Sequence, residues 1–206
     1  MRKVRLSILV LLATVIACNS SKNIHSWRPN NNVSKKYTRV LVLGLMSDED
    51  NSLREETEAQ VAEHLKKTGR DAVASLQVLG IKVFDKMDEE DALYQLNNNC
   101  VDAVLTVTLL NRKKEQKYLP GIIYSSPFTY YYDRFWRYRT TINHRIKEEV
   151  YYDPSGSYFL ECNLYDMITQ KLVYSIQSAP FIISEYESAG KELSRKIVSD
   201  FAKYSL

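Results

Sequence analysis

Val101-Asp-Ala-Val-Leu-Thr-Val-Thr-Leu-Leu110 is the stretch that decides the fold. It is β-branched or apolar at almost every position and holds no glycine or proline. That is the composition of a strand covered on both faces rather than one. A second run of this kind, Arg39-Val-Leu-Val-Leu-Gly-Leu45, lies upstream. Between the two the spacing turns helical. Leu53, Thr57, Val61 and Leu65 recur every four residues, with Ala62 beside them, and Thr68-Gly69 closes the run. Ser52-Leu-Arg-Glu55 has the form of a capping box at its start. A short strand is expected over residues 72–78. A second helix, carrying Leu93 and Leu96, opens at Asp88-Glu-Glu-Asp91, where acids suit the positive helix end. Strands separated by helices imply crossover connections and parallel pairing in this half.

Downstream, the alternation predicts three antiparallel strands over residues 140–152, 157–165 and 172–176. In the first, Ile142, Ile146 and Val150 share one face, and Asn143, Arg145, Lys147 and Glu149 the other. Asp153-Pro-Ser-Gly156 marks a turn. Tyr158, Leu160, Cys162 and Leu164 then point inward. Ser184-Glu-Tyr-Glu187 repeats the capping-box form, and Tyr186, Leu193, Ile197 and Phe201 line one stripe of a final helix. The expected fold class is α/β (α+β): a mixed sheet of about six strands, order β-α-β-α-β-β-β-β-α, with helices packed on the sheet. No internal repeat is visible.

The chain begins Met1-Arg-Lys-Val-Arg5, followed by twelve residues of which only Ser7 and Thr14 are polar. That run is too short to span a bilayer as a helix and ends on a small residue, the pattern of a secretory signal peptide. Val15-Ile-Ala-Cys18 resembles the lipobox of bacterial lipoproteins. The resemblance implies a thioether link from Cys18 to diacylglycerol, with Cys18 as the mature N-terminus. The expected organisation is therefore residues 1–17 as signal peptide, 18–36 as lipidated cysteine and flexible polar tether, and 37–206 as a single domain. The tether's eighteen residues would reach at most ~60 Å. Trp27 is its one large aromatic, placed to dock on the domain or at the membrane interface. Asn19 follows Cys18 where the enterobacterial inner-membrane signal has Asp, so the outer membrane is the expected address.

Charge fits this reading. The chain has 28 Lys and Arg against 25 Asp and Glu, and the whole excess lies in Arg2, Lys3 and Arg5. The remainder is formally neutral, so no nucleic-acid partner is expected. No later segment has the ~18 apolar residues of a span, which leaves the acyl chains as the expected membrane attachment. Cys100 and Cys162 read as two small buried hydrophobes rather than a bridge.

Signals for chemistry are sparse. His25, His64 and His144 lack a metal-ligand spacing. His144, between Ile142 and Ile146, reads as a hydrogen-bonded core or edge histidine, with a buried base as the alternative. Asp48-Glu-Asp50 and Asp88-Glu-Glu-Asp91 lack the glycine and distal glutamate of a calcium loop. There is no Gly-x-Ser-x-Gly, no phosphate-binding loop and no dinucleotide fingerprint. No metal, cofactor or catalysis is expected.

One segment stands apart. Residues 118–138 read YLPGIIYSSPFTYYYDRFWRY, gathering Tyr118, Tyr124, Phe128, Tyr130, Tyr131, Tyr132, Phe135, Trp136 and Tyr138. Pro120, Gly121 and Pro127 argue for a long loop or extended hairpin. With Arg134, Arg137 and Arg139, its composition is that of a protein–protein hot spot, and it also suits stacking on sugar rings or a headgroup layer. The alternative is that these aromatics fold back over a sheet face.

The element order resembles that of the envelope lipoproteins related to the curli secretion lipoprotein and the penicillin-binding-protein activators. Their domains share a fold with the N-terminal domain of the Tol-system propeller protein. Val40-Leu-Val-Leu-Gly-Leu45, Val101-Asp-Ala-Val-Leu105, Asn163-Leu-Tyr-Asp166 and Lys171-Leu-Val-Tyr174 carry the resemblance. It implies a non-catalytic accessory role and transfers no functional residue. The expectation is a lipid-anchored envelope protein that binds another envelope component through residues 118–139. A glycan- or small-ligand-binding lipoprotein is the alternative.

Overall fold

The structure, a computed structural model, describes residues 24, 26–29, 35–47, 50–81, 84, 86–111, 133–147, 156–204 and 206. Its elements in chain order are β1 (Ser26–Trp27), β2 (Arg39–Leu45), α1 (Asn51–Lys66), β3 (Asp71–Ala74), α2 (Ser75–Val78), α3 (Glu89–Asn98), β4 (Ala103–Asn111), α4 (Phe135–Lys147), β5 (Tyr158–Asp166), β6 (Leu172–Gln177), a 3-10 turn (Ile183–Glu185) and α5 (Tyr186–Tyr204). The six strands form one mixed sheet in the order β1-β6-β5-β4-β2-β3. β2 pairs parallel with β3 and β4, whereas β4–β5, β5–β6 and β1–β6 are antiparallel.

Every residue of β4 and β5 is buried, because helices cover both faces of the sheet. On the first face Val42, Leu105, Leu160 and Leu164 pack with Val61 and Leu65 of α1 and with Leu193, Ile197 and Phe201 of α5. On the second, Leu41, Leu43, Val104, Phe159 and Tyr165 meet Leu96 of α3 and Phe135, Tyr138 and Ile142 of α4. Two separate apolar layers thus make one β-strand pattern read as continuous hydrophobicity.

The mixed sheet with packed helices is as expected, with three local differences. The strand expected over 140–152 is, as far as residue 147, the helix α4. Spacing by four (Ile142, Ile146) satisfies a strand face and a helix stripe alike. Phe135 and Tyr138 decide between them: three apart, they would sit on opposite faces of a strand, yet both are buried with Ile142 and Ile146. The count of six strands survives because Ser26–Trp27, expected in the flexible tether, pairs with β6 as an edge strand. The strand expected over 72–78 ends at Ala74, where the chain turns into α2.

The expected capping boxes also differ. Asp50, not Ser52, holds the N-cap of α1, without a side-chain cap bond. Ser184 lies in the 3-10 turn before α5, where Glu185 instead accepts from the Ile182 N–H at 3.4 Å. At α3 the acidic start behaves as read: Asp88 Oδ1 accepts from the Asp91 N–H at 2.9 Å.

A fully buried carboxylate explains why β3 stops. Glu58 on α1 accepts from the Gly44 N–H (2.8 Å), the Ser75 hydroxyl (2.8 Å), the Leu76 N–H (2.9 Å) and Arg54 Nε (3.0 Å). The last β2–β3 pair is Val42 with Ala74, so beyond it this side chain takes over the partner role of the missing strand at Gly44. Gly44 leaves room for it: a Cβ there would lie 2.6 Å from Arg54 Cγ and 3.2 Å from Glu58 Oε1.

Candidate functional site

Of the residues expected to bind or be modified, Cys18, Tyr124, Phe128, Tyr130, Tyr131 and Tyr132 lie outside the described residues. Phe135, Trp136 and Tyr138 are described, and two of them are not free for a partner. Phe135 is 1% and Tyr138 0% exposed. Their rings sit 5.8 Å each from that of Tyr165, and Phe84 meets Phe135 edge-on at 6.3 Å. They belong to the core of the second face because the helix places them on its inward stripe. The alternative in which these aromatics cover the sheet holds for both. Trp136 is half-buried, at the border of this layer. It lies edge-on to Phe84 at 6.4 Å, with the Arg139 guanidinium 4.8 Å over its ring.

Tyr138 also completes a polar seam that the sequence did not announce. Thr106, Thr108, Glu161, Asn163 and Ser175 are buried on this same face. Register aligns them, Thr106 with Asn163, Thr108 with Glu161 and Asn163 with Ser175. Glu161 Oε1 accepts from the Tyr138 hydroxyl at 2.8 Å and from Asn163 Nδ2 at 3.0 Å, while Oε2 accepts from Gln177 Nε2 at 2.6 Å. The Tyr138 hydroxyl also lies 2.9 Å from Thr108 Oγ1. Both carboxylate oxygens are therefore engaged by neutral donors, and the seam fixes α4 on the sheet instead of presenting a reactive group. Its signal was in the sequence as the two threonines, two apart, of the strongest strand.

At the other end of β5, Asp166 anchors the chain entering β2. Lys35 Nζ and the Tyr37 hydroxyl (3.1 Å) donate to Oδ2, and the Thr169 N–H (2.7 Å) and hydroxyl (3.1 Å) to Oδ1. Burial pushes the Asp166 carboxyl up, but the Lys35 and Thr169 hydrogen bonds outweigh it and hold it below the ordinary value. Burial, and then the charge of Asp166, push the Tyr37 hydroxyl up.

The remaining candidates resolve plainly. His144 is exposed on α4, so it is neither a core histidine nor a buried base. Cys162 is buried, as expected, and its thiol is pushed up by burial and then by Glu161. Cys100 is exposed, contrary to expectation, and both are free thiols. Among the described residues, no group of histidine, cysteine and acidic side chains is placed to hold a metal. No helix among them is long and apolar enough to cross a membrane.

No family model and no curated protein matches the chain. Solved structures do. PelC from Paraburkholderia phytofirmans, a dodecamer, is similar over 86% of this chain and 94% of its own, at 11% identity and a TM-score of 0.43. A second PelC dodecamer from the same organism is similar at 10% identity, covering 86% of this chain and 96% of its own, with the same TM-score of 0.43. Lipoprotein GNA1162 from Neisseria meningitidis is similar over 70% of this chain and 80% of its own, at 14% identity and a TM-score of 0.37.

Proposed function

We propose that this chain is a lipid-anchored, non-catalytic lipoprotein of the bacterial cell envelope, held at the outer membrane, whose domain binds another envelope protein. The observation that carries the reading is Val15-Ile-Ala-Cys18 behind a basic start and a twelve-residue apolar run. Asn19 supports the outer membrane as the address. The two buried carboxylates described above, Glu58 and Glu161, support a non-catalytic reading, since both have their oxygens engaged by donors that position structure.

The partner surface is assigned to residues 118–132, the part of the aromatic segment upstream of α4. Phe135 and Tyr138 are withdrawn from it, being core. Replacing Cys18 by Ala should release the domain from the membrane fraction; a variant that still sediments with membranes would refute the anchor. Replacing Tyr130 and Tyr131 by Ala should abolish crosslinking to the partner in intact envelopes while the melting temperature holds. An unchanged crosslinking pattern would refute the assignment of the surface.

A further inference from the structure

β1 interrupts the tether expected over residues 18–36. Ser26 pairs with Ile176 and Trp27 with Ser175, while Ile24 packs against the first-face core. Because β1 is antiparallel to β6, the chain upstream of Ser26 leaves the sheet toward Ser178. That is the end where the Phe181 and Tyr158 backbones bond each other, 2.8 Å in each direction, and where Asn111 closes β4 opposite Tyr158. Only six residue steps separate Ile24 from Cys18, a reach of at most ~22 Å. A free tether would have allowed ~60 Å and any orientation.

That end presents an exposed apolar side chain, with Glu185 and Glu187 exposed near it. Ile182, next to Phe181, is 51% exposed. Lys22 lies in the linking segment itself. A basic residue beside a lipid anchor is drawn to anionic headgroups. The opposite end of the sheet carries the Asp166–Leu172 turn with Ile168, 79% exposed. An exposed isoleucine therefore does not choose between the ends; the anchor does. The two ends are eight residue steps of β5 apart, about 27 Å.

Resting on the lipid anchor proposed above, we propose that the sheet end bearing Asn111, Phe181 and Ile182 is the membrane-facing surface of the domain. It sits on the headgroups of the bilayer, with β1 as a short rigid strut and the Asp166–Leu172 turn directed away.

The test uses the full lipidated chain in a Cys100→Ser background, carrying either Ile182→Cys or Ile168→Cys labelled with a fluorophore. The protein is reconstituted into vesicles of phosphatidylethanolamine and phosphatidylglycerol containing headgroup-spin-labelled lipid. The expected result is at least threefold stronger quenching at position 182 than at 168. Equal quenching at both positions, or stronger quenching at 168, overturns the orientation while leaving the anchor intact. Failure of the protein to float with the vesicles, or a mature chain without acyl mass at Cys18, overturns the anchor and the orientation with it. The exposure of both labelled positions keeps folding out of the comparison, and a melting temperature equal to that of the unlabelled chain verifies it.

Discussion

Replacing Glu58 by Ala removes a side chain that ties α1, β2 and α2 together. Four donors lose their acceptor: two backbone N–H groups (Gly44 and Leu76), the Ser75 hydroxyl and Arg54 Nε. The hydroxyl can rotate and the guanidinium can swing toward water, so they contribute little to the loss. The Gly44 N–H cannot move without unpairing β2, and the Leu76 N–H is fixed in the first turn of α2. A buried unsatisfied donor costs about 1–3 kcal/mol, with Gly44 near the top of that range and part-buried Leu76 near the bottom. The sum is about 4 kcal/mol, a large share of the 5–15 kcal/mol typical of a domain. At roughly 2–4 °C per kcal/mol for this size, the melting temperature should fall by about 8–16 °C. Glu58→Gln keeps the shape and one acceptor but sets an amide donor against an N–H, and should fall by about half as much. Thermal denaturation followed by circular dichroism, checked for reversibility, measures both. If both variants melt within about 2 °C of the parent chain, the carboxylate is not a clamp. Gly44→Ala should reproduce part of the loss, because its Cβ would displace Arg54.

Phe135→Ala should destabilise by about 3–5 kcal/mol and Trp136→Ala by clearly less, since the first is a full core deletion and the second borders the surface; equal losses in urea denaturation would contradict the placement of α4. Asp166 has a folded pKa below its unfolded value of about 3.9, so its contribution is present above that value and lost as pH falls through the folded pKa. The stability difference between the parent chain and Asp166→Asn should therefore be constant near neutrality and shrink below about pH 4. A difference unchanged from pH 7 to pH 3 would refute the link. Of Cys100 and Cys162, both should react with a thiol reagent in the unfolded chain and only Cys100 in the folded chain. Protection of both would mean that Cys100 is covered.

Most of the sheet was legible because β2 and β4, covered on both faces, advertise themselves as apolar runs, while β5 and β6 show through alternation. The misreading of α4 had one cause, a spacing of four that satisfies two periodicities, and it propagated. With no helix expected over residues 135–147, Phe159, Glu161, Asn163 and Tyr165 read as the outward side of their strand, yet all four are buried. Glu58 was invisible for a different reason: its partners at Gly44 and Ser75 become neighbours only through the β2–α1–β3 crossover, and local sequence holds no trace of that. The edge strand β1 escaped notice because two residues carry no periodicity. Of the expected site, the anchor motif and most of the aromatic segment lie outside the described residues, while Phe135 and Tyr138 turned from binding residues into core through the same change at α4.

The measurement that bears most directly on the account is the mass of the N-terminal peptide of the mature chain, extracted from membranes in detergent. The account predicts a peptide beginning at Cys18 and heavier by the diacylglyceryl group and its fatty acids. A peptide beginning at Met1, or an unmodified Cys18, would contradict it.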